Sequence, residues 1–302
     1  MEQERKILIS ASQLAVILCI CRLPDILFGT SLGGETQVWA VIFAEAVRLL
    51  AFLPLCVLFA KGQSLPEGKA GAVLRLVFAA VLLAGLCGDL KKAGDFVSDT
   101  LYPGSPAVFF AAAILLAAVY GAHMGLEAAA RASLPVLVLF VVGLLLTAAG
   151  VREEIRLAHL FPAEQLSLAV KESVRAGLHP EELLIFLAFS PQSGGKHGNL
   201  PAAAAGLGLG AVLSATAAFL SGSVLGGLQG LSAYPFFRVQ TLMKLSVFQR
   251  MDAWFLALWV AVIFLRSIFL LRSAEQLLGP LAGKRRRFLL PVMGAAALAA
   301  LL

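Results

Sequence analysis

Stretches of about 20 apolar residues recur along this chain, and that recurrence narrows its possible folds more than any other feature. A helix needs roughly 20 predominantly apolar residues to cross the hydrocarbon core of a bilayer. Candidate spans fall at residues 7–28, 38–60, 70–90, 107–123, 134–151, 166–191, 200–220, 251–271 and 288–302. The chain is 60% hydrophobic and 14% charged over 302 residues, whereas a soluble domain carries about a quarter charged residues. These features predict an all-α polytopic membrane protein of about nine transmembrane helices, with residues 1–302 forming one transmembrane domain embedded in the lipid bilayer.

Polar clusters punctuate the runs: Lys61-Gly-Gln-Ser, Lys91-Lys92 with Asp95 and Asp99, Arg152-Glu-Glu, Gly194-Gly-Lys-His-Gly and Lys284-Arg-Arg-Arg287. Such groups are costly in hydrocarbon and mark the loops. The first run is too long for a signal-peptide core and has no small-residue cleavage site, so it reads as a retained helix. Lys and Arg weigh on the loops that share a side with the N-terminus, which places that terminus in the cytoplasm and the last helix end outside. The formal charge of +6 suits basic loops facing an anionic membrane surface, and no Lys/Arg run interleaves with aromatics, which excludes nucleic acid as a partner.

Two spans carry interruptions. In the first, Arg22-Leu-Pro24-Asp25 precedes Gly29, and Pro24 either kinks or breaks the helix. In the sixth, Leu166, Ala169, Val170, Val174 and Leu178 share one face while Lys171, Glu172 and Arg175 share another, an amphipathic helix rather than a span. It meets Gly177 and His179-Pro180, where Pro180 biases His179 away from helix. Transporters built from inverted repeats place such breaks at the substrate site, where freed backbone groups meet ligand near the midplane.

Charges inside the runs need partners. Asp25, three residues after Arg22, pairs with it or meets a ligand's ammonium group. Glu45 and Arg48, three apart, and Glu127 and Arg131, four apart, are spaced to pair along their helices. Arg266 has no local partner and is expected to face a polar interior or another helix's carbonyls. Gly206 and Gly210 give a GxxxG spacing, which in an apolar helix serves close helix packing. Cys19, Cys21, Cys56 and Cys87 lack metal or redox spacing and read as packing residues. The four histidines are scattered, no catalytic motif occurs, and nothing implies a metal or another cofactor; the chain does not read as an enzyme.

Several motifs resemble one family. Ile9-Ser-Ala-Ser-Gln13, Leu101 with Ser105-Pro106, and Tyr120-Gly-Ala-His-Met-Gly125-Leu-Glu127 with Arg131 are similar to the spore germination permeases, the B subunits of GerA-type nutrient receptors. So are Glu181/Glu182 with Pro191, and Tyr234-Pro235, Arg238, Phe248-Gln-Arg250-Met-Asp252, Trp259 and Phe264. The resemblance implies a LeuT-like, amino acid–polyamine–organocation type bundle of ten helices in two inverted repeats, with helices one and six broken. It further implies a sensor in the spore inner membrane that binds a small nutrient, an amino acid above all, and signals to A and C subunits to trigger germination. Carried over, the ligand site falls at Pro24, Asp25 and Gly29 and at Gly177, His179, Pro180 and Glu182. The family has small residues and a glycine where this chain has Arg22-Leu-Pro-Asp25, which implies either a different ligand class or a degraded site, and nine spans leave the second repeat one helix short. A proton-coupled amino-acid transporter using Asp25 or Glu182 as relay is the alternative.

Overall fold

The computed structural model describes residues 8–28, 37–60, 68–160, 179–193, 199–243 and 252–302. These form ten α-helices: α1 Ala11–Phe28, α2 Gln37–Ala60, α3 Lys69–Thr100, α4 Ala107–Met124, α5 Leu126–Gly150, α6 Glu181–Phe189, α7 Asn199–Leu225, α8 Pro235–Leu242, α9 Asp252–Ala282 and α10 Leu289–Leu301. Among the described residues there is no β-strand, and one isolated bridge joins Ile9 to Ser193. Helices α2, α3, α4, α5, α7 and α9 are long and apolar enough to cross a membrane, and the protein is an integral membrane protein. Of the other three expected spans, the first is the 18-residue α1, the sixth is described only as α6, and the ninth is the 13-residue α10.

Helix α1 is the hub. Every residue from Ile17 to Pro24 is buried, so the helix is enclosed by protein rather than lipid. It packs most extensively on α7 and also meets α5, α6 and α9. A capping box starts it: the Gln13 amide donates to Ser10 Oγ at 3.2 Å, and the Ser10 amide donates to Gln13 Oε1 at 2.8 Å, which satisfies two donors that a helix start leaves unpaired. The residues just before it donate from the Leu8 amide to the Gln192 carbonyl at 2.9 Å, tying the start of α1 to the end of α6.

The GxxxG reading of α7 holds. A Cβ on Gly206 would stand 2.4 Å from the Ala15 carbonyl oxygen, and one on Gly210 would stand 3.2 Å from Arg22 Cβ, so the missing side chains let α7 lie directly against α1. Gly125, at φ +107°, separates α4 from α5 in a conformation that disfavours any residue with a Cβ. Close by, Glu127 and Arg131 pair at 2.6 Å on an exposed face, as their spacing predicts. Cys19, Cys21 and Cys56 are buried packing residues, and Cys87 is half-buried.

Three expectations are corrected. The break at Pro24 is absent: α1 runs through it to Phe28. Proline removes one donor, which leaves the Ile20 carbonyl without its helical partner and opens the preceding turn, and in that turn Arg266 of α9 donates to the neighbouring Cys21 carbonyl. Second, Lys91, Lys92, Asp95 and Asp99 are not a loop but the last turns of α3, because Ala93, Gly94 and Phe96 continue its buried face while both lysines and Asp99 point outward. Third, α9 extends past Arg272 to Ala282, its end held by Glu275, which pairs with both Arg272 and Arg286. The sixth helix starts where Pro180 directs, since that residue caps α6; the amphipathic stretch before it, 165–178, lies outside the described residues.

Candidate functional site

The charged residues scattered through the apolar runs converge. Arg22 of α1 donates to Glu45 Oε1 of α2 through Nε at 2.8 Å and Nη2 at 2.5 Å, and to Asp25 Oδ2 through Nη1 at 2.7 Å. Arg48, one turn along α2 from Glu45, contacts Glu45 Oε2 at 2.6 Å and donates to both carboxylate oxygens of Glu182 on α6 at 2.7 and 2.8 Å. Arg266 of α9 contacts Asp89 Oδ2 of α3 at 2.6 Å and Asp25 Oδ2 at 3.5 Å. The result is one alternating line, Asp89, Arg266, Asp25, Arg22, Glu45, Arg48, Glu182, in which every arginine touches two carboxylates. It crosses five helices, and each of its side chains is at most 7% exposed.

Burial is what gives the line its meaning. Moving charges out of water costs several kcal/mol each, and only close pairing offsets that cost. Such a line is therefore a device for fixing how α1, α2, α3, α6 and α9 sit together, since separating any two of them strands a charge. Local sequence supports it: Gly210 leaves room for the Arg22 stem, and Glu181 and Glu182 sit in the first turn of α6, where the helix dipole favours negative charge.

Asp25 and Glu182, expected as ligand residues, are both members of this line, and Pro24 is buried in α1 directly beside Asp25. Pro180 caps α6, and His179 lies before it with Nδ1 3.9 Å from Glu181 Oε2. Gly29 and Gly177 lie outside the described residues. The pairings of Arg22 with Asp25 and of Glu45 with Arg48 follow the sequence spacing, and Arg266 faces both a polar interior and the Cys21 carbonyl. Sequence reasoning missed Asp89. The signal available for Asp89 was an acid closing an apolar run four residues after Gly85.

A second polar group lies at the end of α6. Asn199 Nδ2 donates to the Ser190 carbonyl at 2.8 Å and to Ser190 Oγ at 3.0 Å, while Ser193 Oγ donates to Asn199 Oδ1, which joins α6 to the start of α7. A separate open groove of about 720 Å³ lies where α3 ends against α8, with Asp99, Tyr234 and Arg238 on its walls. Phe96 stacks on Trp259 at 4.2 Å and meets the edges of Tyr234 and Phe237, which fixes the floor of that region. Burial, together with Asp99 and Asp95, pushes the Tyr234 hydroxyl up to about 12. Among the described residues no three His, Cys, Asp or Glu side chains are placed to hold a metal ion.

No curated protein matches the chain. The profile of the spore germination protein family matches residues 65–302, which takes in α3 to α10 and, within the buried line, Asp89, Glu182 and Arg266. That match spans well over half of the 302 residues and agrees with the motifs at Tyr120–Arg131 and Tyr234–Phe264, so the chain is a germination-related membrane protein and belongs to the spore germination protein family.

Proposed function

We propose that the protein is the nutrient-sensing subunit of a spore germinant receptor in the spore inner membrane. It would bind a small germinant, an amino acid above all, where α1 and α6 meet, and pass the change to A and C partner subunits. The observation that carries this reading is the ion-pair contact of Arg48 with Glu182, because it makes the position of the short helix α6 depend on the charges of α1 and α2. A zwitterion brings one charge of each sign and can exchange with an existing pair, so ligand and line compete for the same partners. A ligand shifts a two-state protein only by binding one state better than the other, and the two states here differ in whether α6 is held by Arg48. Pro24, Asp25, Gly29, Gly177, His179, Pro180 and Glu182 are the proposed contact residues, within a ten-helix inverted-repeat family architecture.

The test is dipicolinate release from spores of the native host with and without the gene, across amino acids, sugars and nucleosides. Loss of the response to one nutrient supports the sensor and narrows its ligand; survival of every response refutes it. Buried carboxylates at Asp25 and Glu182 also favour a second reading, a proton-coupled amino-acid transporter. Uptake into proteoliposomes that collapses with the pH gradient would support that reading, and binding without uptake would remove it.

A further inference from the structure

Tyr234-Pro235 and Arg238, part of the motif that precedes α9, take no part in the buried line. They stand on the open groove of about 720 Å³ where α3 ends against α8. That volume falls within the range of about 300–1,000 Å³ usual for small-molecule sites. Asp99, on the α3 wall, lies about 15 Å along that helix from Asp89, so the groove is separate from the line. The residue pattern of α8 makes the other wall. Pro235, Phe236, Val239 and Gln240 are buried against the bundle, while Tyr234, Phe237, Arg238 and Thr241 share the opposite face and line the groove. Beneath them Phe96 stacks on Trp259 at 4.2 Å and meets Tyr234 and Phe237 edge-on at 4.8 and 5.1 Å, so both walls are held from below.

The two walls bring opposite charges to one opening. The Tyr234 hydroxyl donates to Asp99 Oδ2 at 3.4 Å. The Arg238 amide donates to the Tyr234 carbonyl at 3.0 Å, which sets the Arg238 side chain one turn, about 6 Å, along the same face. Asp99 and Arg238 are both exposed, and among the described residues neither forms an ion pair. Charges left in that state belong in water rather than hydrocarbon, so the groove opens at the aqueous end of the bundle. Leu225, Leu228 and Leu242 complete its walls with apolar surface.

We propose that this groove is a small-molecule site for a free α-amino acid with an apolar side chain. Its carboxylate lies on the Arg238 guanidinium, its ammonium on Asp99, and its side chain against the leucines. A guanidinium offers paired donors to a carboxylate, and the Asp99 carboxylate offers acceptors to an ammonium, so the two walls fix which way round a zwitterion binds. A simple carboxylate or a simple amine satisfies one wall and leaves the other empty. Bound across the opening, the zwitterion ties the end of α3 to α8. The site is separate from the one proposed where α1 and α6 meet, and it does not depend on a sensing role.

The test measures saturable binding of radiolabelled L-leucine to the full chain in nanodiscs of phosphatidylglycerol, a lipid whose headgroup carries no ammonium. Leucine should bind. Its analogues 4-methylpentanoate, without the ammonium, and 3-methylbutylamine, without the carboxylate, should compete at least about tenfold more weakly, the loss expected of a charged hydrogen bond. Arg238→Gln and Asp99→Asn alter exposed side chains, so both should fold, and each should weaken one class of leucine site by about tenfold or more. Arg131→Gln, exposed near the start of α5, should leave binding unchanged. Leucine binding that survives both groove variants belongs to another site and overturns the proposal while leaving the sensor reading intact. No saturable binding, or an analogue that competes as well as leucine for the variant-sensitive sites, also overturns it. Groove binding in a protein whose deletion spares every germination response upholds the site and counts against the sensor alone.

Discussion

Replacing Arg48 with methionine removes the guanidinium that joins α2 to α6 and keeps most of the side chain's apolar bulk. Arg48 is 1% exposed and holds Glu182 through two hydrogen bonds at 2.7 and 2.8 Å, with a further contact to Glu45 at 2.6 Å. The two acids differ in what they keep. Glu45 retains Arg22 at 2.5 Å, whereas among the described residues no other arginine pairs with Glu182. Arg48→Met thus strands one fully buried carboxylate, and breaking a buried pair from one side costs about 3–5 kcal/mol. Replacing both partners, Arg48→Met with Glu182→Gln, removes the stranded charge and should recover at least about 2 kcal/mol relative to the sum of the single variants. The assay is reversible unfolding of the purified chain in mixed micelles, carried out as a double-mutant cycle. A single variant within about 1 kcal/mol of the parent, or a double variant as unstable as the sum of the singles, would refute the claim that Arg48 and Glu182 form an energetically coupled pair.

Gly206→Ala should cost about 1–3 kcal/mol in the same assay, since its Cβ meets Ala15 backbone, while Gly208→Ala meets open space and should be neutral or stabilising by up to about 1 kcal/mol. Glu127→Gln should change stability by no more than about 0.5 kcal/mol, because its bond to Arg131 is solvent-exposed. Tyr234 should titrate above the usual tyrosine range, read as the part of the alkaline absorbance change lost in Tyr234→Phe; its raised value stabilises the fold below about pH 10, and that contribution should fade as pH rises toward 12.

How much was legible in the sequence depended on the range of the interaction. Hydropathy located the described long helices, and short-range spacing paired Arg22 with Asp25, Glu45 with Arg48, and Glu127 with Arg131, because i,i+3 and i,i+4 neighbours meet on any helix. The glycine pair of α7 could be read as a packing face, though not which helix would fill it. Long-range partners were hidden. Arg266 looked unpaired because Asp89 and Asp25 are brought to it by two other helices. Lys91 and Lys92 looked like a loop because charge density alone does not reveal that Ala93 and Phe96 keep one face buried. Pro24 looked like a break because the sequence does not show that an arginine from α9 would reach the Cys21 carbonyl in the turn the proline opens.

That last contact spans 245 residues and so sets an order of assembly. Ribosomes add about 5–20 residues per second, so α1 waits roughly 10–50 s, at that rate, before the arginine that completes it has been made. For much of that interval Asp25, and later Asp89, sit in a growing membrane bundle without Arg266, and α1 reaches its final setting only after α9 has followed it through the insertion machinery. The hub of the bundle is thus closed by a segment made 245 residues after it, which makes α9 the latch of biogenesis as well as a wall of the bundle.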